Sequence, residues 1–330
     1  MFGAVQCPFR LQPPLVMPLA EAIRREARAL GFDAVGIAAV AQSPLPSTLS
    51  QRLRTWLQRG YHGTMSWMAR DVSRRTDPHM VLPGCRSLIS VAMNYDTGQR
   101  ATEGSGYGRI ARYAWGKDYH QVLGDRLKQL EARLVKLAPG AATRSYVDTG
   151  PIMEKSWAQQ AGLGWIGKHS NLVSSEYGSW LLLGEILTTL ELPPDEPATD
   201  LCGSCALCIQ ACPTSAIVEP YVVDANRCIS YLTIEFRGTQ DTIPEELASR
   251  MGNHIFGCDD CLDVCPFNLR ADHTNETAFY PSPTTQAPVL DELIAMDERA
   301  FTTTFKNSPI RRAKWTGFQR NIRIAQQNQS

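Results

Sequence analysis

Cys202-Gly203-Ser204-Cys205-Ala206-Leu207-Cys208-Ile209-Gln210-Ala211-Cys212-Pro213 spaces its four cysteines C-x2-C-x2-C-x3-C-P. In such a run three thiolates hold one [4Fe–4S] cubane and the fourth reaches a neighbouring one, so two clusters are implied. A second run, Cys258-x2-Cys261-x3-Cys265-Pro266, lacks one cysteine of the full pattern, and Cys228 between the runs can supply it. The ligand sets are then Cys202, Cys205, Cys208 and Cys265 on cluster one, and Cys212, Cys228, Cys258 and Cys261 on cluster two. Disulfides or zinc are the alternative uses of these thiols, but structural zinc sites usually set two C-x2-C pairs roughly 15 to 20 residues apart. Cys7 and Cys85 are left over and read as free thiols packed as small hydrophobes.

The chain has 330 residues and 43% hydrophobic content, enough for a sizeable core and about two domains. Lys and Arg total 33, as do Asp and Glu, so the formal charge is zero. A nucleic-acid partner would have to be held by a local basic patch. The start, MFGAVQCPFRLQPPLVMP, is broken by prolines and lacks the apolar core of a secretory signal. Arg24-Arg25 is followed by Glu26-Ala27-Arg28 and not by the apolar stretch that a twin-arginine export signal needs. The most apolar segment, Trp180 to Leu190, is interrupted by Glu185 and too short to span a bilayer. The expectation is a soluble cytoplasmic protein with no membrane partner, in a reducing compartment that suits thiolate-bound iron.

Leu19, Ile23, Ala27 and Leu30 recur at helical spacing, and Gly31 precedes a predicted strand over Ala34 to Val40. Leu49, Leu53, Trp56 and Leu57 mark a second helix, and Ser87 to Tyr95 a second strand. The glycines of 104–108 lack the strand-to-helix context of a nucleotide fingerprint and read as a loop. Leu123, Leu127, Leu130, Leu134 and Leu137 form one helical stripe, stopped by Pro139-Gly140. Arg144 to Val147 reads as a strand, Pro151 as the first turn of a helix reaching Gly162, and Ser170 to Val173 and Ser179 to Leu190 as further strands. Leu192 to Pro197, rich in proline and acid, reads as a linker. The expected organisation is an αβ domain over 1–192, a ferredoxin-like two-cluster domain over 193–272 and a helical C-terminal segment over 273–330, with helices near Leu290 to Ala295 and Arg311 to Gln326.

An electron carrier has no need of nearly 200 residues ahead of its clusters, so the αβ part is expected to house the site that receives the electrons. Asp148 falls at a strand end just before a helix start, where α/β proteins place catalytic groups and where a carboxylate can also simply cap the helix. Lys117, Asp118 and His120 make a polar cluster at a helix start, or an ordinary surface. Arg311, Arg312, Lys314, Arg320 and Arg323, with Trp315 and Phe318 interleaved, suit phosphates and stacked bases, or a solvated helix face.

Tyr146-Val147-Asp148-Thr149-Gly150-Pro151, continued by Glu154, Ala158 and Ala161-Gly162-Leu163-Gly164-Trp165-Ile166-Gly167-Lys168, resembles the signature of the epoxyqueuosine reductase family. So do Ala111 to His120, the double cluster pattern with its interposed Cys228, Ser308-Pro309-Ile310-Arg311-Arg312 and Arg320-Asn321. The resemblance runs from about residue 18 to about residue 325. It implies a cobalamin-binding αβ domain and reduction of epoxyqueuosine to queuosine at the tRNA wobble position. Asp148 would be the proton donor, its carboxyl raised by burial or by the cofactor. It further implies Arg112, Tyr113, Asp118, His120, Ser230 and Arg237 near the cofactor, and Arg311, Arg312 and Lys314 on tRNA phosphates. An external low-potential electron donor and a monomeric state are expected. No Asp-x-His-x-x-Gly motif is present; Asp77-Pro78-His79 is nearest and Gly84 falls too late, in keeping with a cobalt that takes no histidine ligand. Members commonly continue into helical repeats that help grip tRNA, whereas this chain ends at Ser330. The rival readings are a reductive dehalogenase acting on a small organohalide, and a ferredoxin-like carrier.

Overall fold

Residues 18–40 and 43–329 are described by the structure, a computed structural model; Cys7 lies outside them. The first half runs α1 (Leu19–Ala29), β1 (Ala34–Ala39), α2 (Leu45–Gln58), α3 (Val72–Thr76), β2 (Ser87–Asn94), β3 (Arg109–Ile110), α4 (Tyr119–Leu137), β4 (Thr143–Tyr146), α5 (Glu154–Gln160), β5 (Trp165–Ile166), β6 (Leu172–Val173) and β7 (Leu181–Thr188). Strands β1, β2, β7 and β4 form one antiparallel sheet in that order. Successive strand residues face opposite ways, and both faces are covered, which buries every residue of β2. On one face the α4 leucines 123, 127, 130 and 134, with Ile23 and Ala27 of α1, pack on Ile89, Val91, Leu182 and Ile186. Trp157 and Ala158 of α5, with Ala161 just after its end, cover Ala38, Leu88, Leu183 and Leu187 on the other. Each large apolar side chain contributes about 1.5–3 kcal/mol on burial. The α5 backbone can lie this close because β1 carries Gly36, where a Cβ would run into the Ala161 carbonyl oxygen.

The second half adds α6 (Leu207–Ala211), β8 (Ile217–Glu219), β9 (Val222–Val223), α7 (Ile229–Ile234), α8 (Glu245–Arg250), β10 (His254–Phe256) and α9 (Asp260–Asp263) around the cysteines. It closes with α10 (Pro283–Gln286), α11 (Leu290–Ile294), α12 (Glu298–Thr304) and α13 (Lys314–Gln327). Phe301, Phe305 and Phe318 pack together, Phe318 lying 5.2 and 5.4 Å from the other two rings, in a core shared with Ile110, Trp115 and Phe256. Thus the C-terminal helices sit on the loop that precedes α4.

Several expectations need correction. Pro151 is outside α5, which begins at Glu154; residues 147–153 are a loop that carries Asp148. The segment over 192–197 is strapped to the sheet: the Asp195 carboxylate accepts from Arg24 at 2.7 Å and from the Ile37 amide at 2.8 Å, and Leu192 is buried. Arg320 and Phe318 are core residues. Arg320 donates to the carbonyls of Leu232, Phe236 and Gly238 at 2.5–3.0 Å, so neither belongs to a solvated nucleic-acid face. Cys85 is fully buried, and desolvation pushes its thiol up to about 11.

Candidate active site and cluster ligands

Asp118 starts the site. Its side chain caps α4 by accepting the His120 amide at 3.0 Å, and the same oxygen meets His120 Nδ1 at 2.7 Å. The ring is thereby aimed so that Nε2 lies 3.2 Å from Asp148 Oδ2, with Tyr119 stacked on it at 4.1 Å. Asp148 has φ +57°, a left-handed conformation that aspartate tolerates better than most residues. Its amide donates to Glu154 Oε1 at 2.6 Å, which ties the loop to the first turn of α5. An imidazole between two carboxylates follows from a capping residue, the first turn of a helix and a strand-end loop.

The electrostatics reverse one expectation. The hydrogen bond from His120 outweighs burial and holds the Asp148 carboxyl below its ordinary value, not above it. Burial works against a charged His120, but the bonds to Asp118 and Asp148 prevail and lift the ring to about 9. At neutral pH the proton therefore resides on the imidazole, in contact with a carboxylate that is 59% exposed.

That carboxylate lines a cleft of about 1360 Å³, along with Tyr113, Asp118, His120, Arg311, Arg312 and Lys314. Tyr113 also lines a smaller cavity of about 200 Å³, shared with Ser230, Lys155 and Cys258. One tyrosine thus stands between the carboxylate cleft and the cavity that Cys258 lines. Of the other anticipated contacts, Arg112 lies inside the fold, 2.7 Å from Asp263 and 4.4 Å above the Trp180 ring. Arg237 donates to the carbonyls of Ile234, Arg312 and Ala313 at 2.8–3.2 Å and braces the turn bearing Arg311 and Arg312. Arg312 forms a two-pronged pair with Glu235 at 2.7 and 2.8 Å, whereas Arg311 and Lys314 are exposed. Sequence reasoning missed the cleft wall formed by Trp67, Arg70 and Arg75, where Arg75 lies 5.0 Å above Trp67. Its aromatic and basic interleaving was the available signal.

The cysteines of the two runs and Cys228 lie near one another. Cys208 feels the charges of Cys202, Cys205 and Cys265, and those four line one small cavity. Cys261 feels Cys228, Cys212 and also Cys208, and Cys258 feels Cys261 and Cys228. All described cysteines are free thiols. A tetrahedral zinc with Zn–S of about 2.3 Å would bring its sulfurs within about 3.8 Å of each other. Among the described residues the one such close group of potential ligands is His254, Cys258 and Asp260, and no three cysteine sulfurs lie within 4.8 Å of one another. Donors are in place for thiolate sulfur: Trp165 Nε1 lies 3.4 Å from Cys202 Sγ and the Ala216 amide 3.1 Å from Cys212 Sγ. Burial pushes the Cys258 and Cys261 thiols up, so iron's positive charge is what would keep them ionised.

Residues 75–149 match the family described as "Epoxyqueuosine reductase QueG, DUF1730", and residues 201–268 match "4Fe-4S double cluster binding domain". The chain is 46% identical to the epoxyqueuosine reductase of Gloeobacter violaceus over 93% of this chain and 96% of that protein. It is 44% identical to that of Escherichia coli K12 over 93% of this chain and 80% of the relative. A crystal structure of epoxyqueuosine reductase with an epoxyqueuosine-modified tRNA-Tyr stem loop superposes with TM-score 0.85 at 33% identity, covering 93% of this chain and 80% of that one.

Proposed function

Because the chain belongs to the epoxyqueuosine reductase family, we propose that it reduces epoxyqueuosine to queuosine at the wobble position of tRNA. The reaction takes two electrons and two protons, and the epoxide oxygen leaves as water. Two [4Fe–4S] clusters on the two cysteine sets would deliver electrons singly. Cobalamin, when bound, supplies a centre that can collect both electrons and act on the epoxide. The cleft fits a group of that size: it exceeds the 300–1,000 Å³ or so of an ordinary small-molecule site. Its Tyr113 wall leads toward Cys258. Tyr113, Asp118, His120 and Ser230 would border the cofactor, while the positions of Arg112 and Arg237 favour bracing roles.

The observation that carries this reading is the Asp118–His120–Asp148 array at the cleft wall. Asp118 holds Nδ1, so the transferable proton stays at Nε2 against Asp148 Oδ2. From there it passes through the exposed carboxylate to the departing oxygen, a general-acid role. The proton is thus available near pH 7 although the Asp148 carboxyl itself is held low. Arg311 and Lys314, exposed at the same cleft, are suited to tRNA phosphates, and Arg312 to a phosphate that competes with Glu235. The division at 1–192, 193–272 and 273–330 is one of roles, since the cores cross it. We read the protein as a cytoplasmic monomer served by an external low-potential donor, the compartment following from reduced thiolate ligands and a tRNA substrate. Among the described residues no helix is long and apolar enough to cross a membrane.

The test is anaerobic incubation of the cluster-loaded protein with cobalamin, a low-potential reductant and epoxyqueuosine-containing tRNA, followed by nucleoside mass spectrometry. Queuosine is the expected product, and an unchanged base with consumption of an organohalide would overturn the assignment. Asp148→Asn should keep both clusters and cobalamin and lose most turnover.

A further inference from the structure

Glu185 sits in the middle of β7, an inner strand of the sheet, and is 0% exposed. No donor reaches either of its carboxyl oxygens. Its register partners are Ser90 on β2 and Tyr146 on β4, and it shares the α5-covered face with Leu183 and Leu187. The polar group that meets it is the Glu154 carboxyl, from the first turn of α5. Glu154 in turn accepts the Asp148 amide at 2.6 Å. The other charged groups facing this pair are Asp148, itself anionic, and Lys155, whose ammonium is directed to Ser170 O and Asn171 Oδ1 at 3.0 and 2.7 Å.

Two carboxylates in contact inside an apolar core repel each other, and an isolated buried one costs several kcal/mol. One proton between them removes both penalties. The helix start favours the anionic form on Glu154, and full burial favours the neutral form on Glu185. Burial raises the proton affinity of both, more strongly that of Glu185. We propose that Glu185 is a positioning residue for the proton-donating loop: kept protonated in the core, it donates to Glu154 and so fixes the carboxyl that holds the Asp148 amide. Glu154 then has a fixed orientation, and residue 148 is kept in its left-handed conformation facing His120. The inference rests on Asp148 being the proton donor.

The test uses cluster- and cobalamin-loaded protein in single-turnover assays, with iron content and thermal unfolding as checks on folding. Glu185→Gln keeps a donor toward Glu154 and should retain the rate within about threefold. Glu185→Leu places an apolar side chain in an apolar core, yet should lose about 10²-fold, the scale of a 1 Å misplacement of a catalytic group. Glu154→Met, which removes the acceptor for the Asp148 amide, should fall equally and decides the matter if the leucine variant does not fold. Infrared spectra at neutral pH should show the C=O stretch of a protonated carboxylic acid that is missing in Glu185→Gln. Wild-type rates in Glu185→Leu, a loss in Glu185→Gln as deep as in the leucine variant, or an unchanged infrared band would each overturn the proposal. If Asp148→Asn proves fully active, the proton-donor reading fails by itself, and the infrared band still decides the protonation of Glu185.

Discussion

Replacing His120 with glutamine separates the two groups that the structure couples. In the wild type the ring titrates at about 9, so nearly every molecule carries the transferable proton at pH 7. The variant has no imidazolium, and Asp148 loses the hydrogen bond that contributes most to holding its carboxyl down. Its proton must then come from the carboxyl itself. At an ordinary value of about 3.9, roughly one carboxyl in 10³ is protonated at pH 7. Single-turnover conversion of epoxyqueuosine should therefore fall about 10³-fold at pH 7 and recover about tenfold for each pH unit of acidification. The wild-type rate should be flat from about pH 6 to pH 8 and decline above about 9, as the ring loses its proton. The stability profile has the same sign. A histidine raised in the folded state contributes fully below its ordinary value of about 6.5, and that contribution is lost as pH rises through about 9. A His120→Gln protein within threefold of wild type at pH 7, or one whose rate ignores acidification, would refute the array.

Cys228→Ala should lower iron from about eight to about four per chain, with Cys85→Ala as a control that keeps all eight; iron analysis after anaerobic reconstitution decides. Arg311→Ala should weaken binding of a tRNA stem loop and flatten its salt dependence by about one phosphate contact, with unfolding unchanged. Arg320→Met should do the opposite, costing about 3–5 kcal/mol of stability in denaturant titration because three buried carbonyls lose their donor.

The two-cluster domain over 201–268 was legible because cluster ligation imposes short, local spacing, and the place of Cys228 in a ligand set rests on the ligand count. The α4 stripe was legible for a similar reason, since one helical period repeats over five leucines. Asp148 stood out as a candidate by its place between a strand and a helix, and the family resemblance gave it the proton-donor role. Its proton affinity could not, because the deciding partner is 28 residues away and is aimed by a capping contact. Basic residues near the C-terminus read alike, yet Arg311 is exposed and Arg320 buried. The difference is made by carbonyls of residues 232–238, which no local pattern links to position 320. Glu185 gave a visible signal as a break in an apolar strand, but its meaning depended on which helix covered that face.

The Asp195 strap has a mechanical consequence. Its carboxylate is bound to both α1 and β1, so the iron centres are not carried on a swinging tether like the arm of a mobile carrier. On the proposed reading they would act as fixed wiring, recharged between turnovers by a separate low-potential donor.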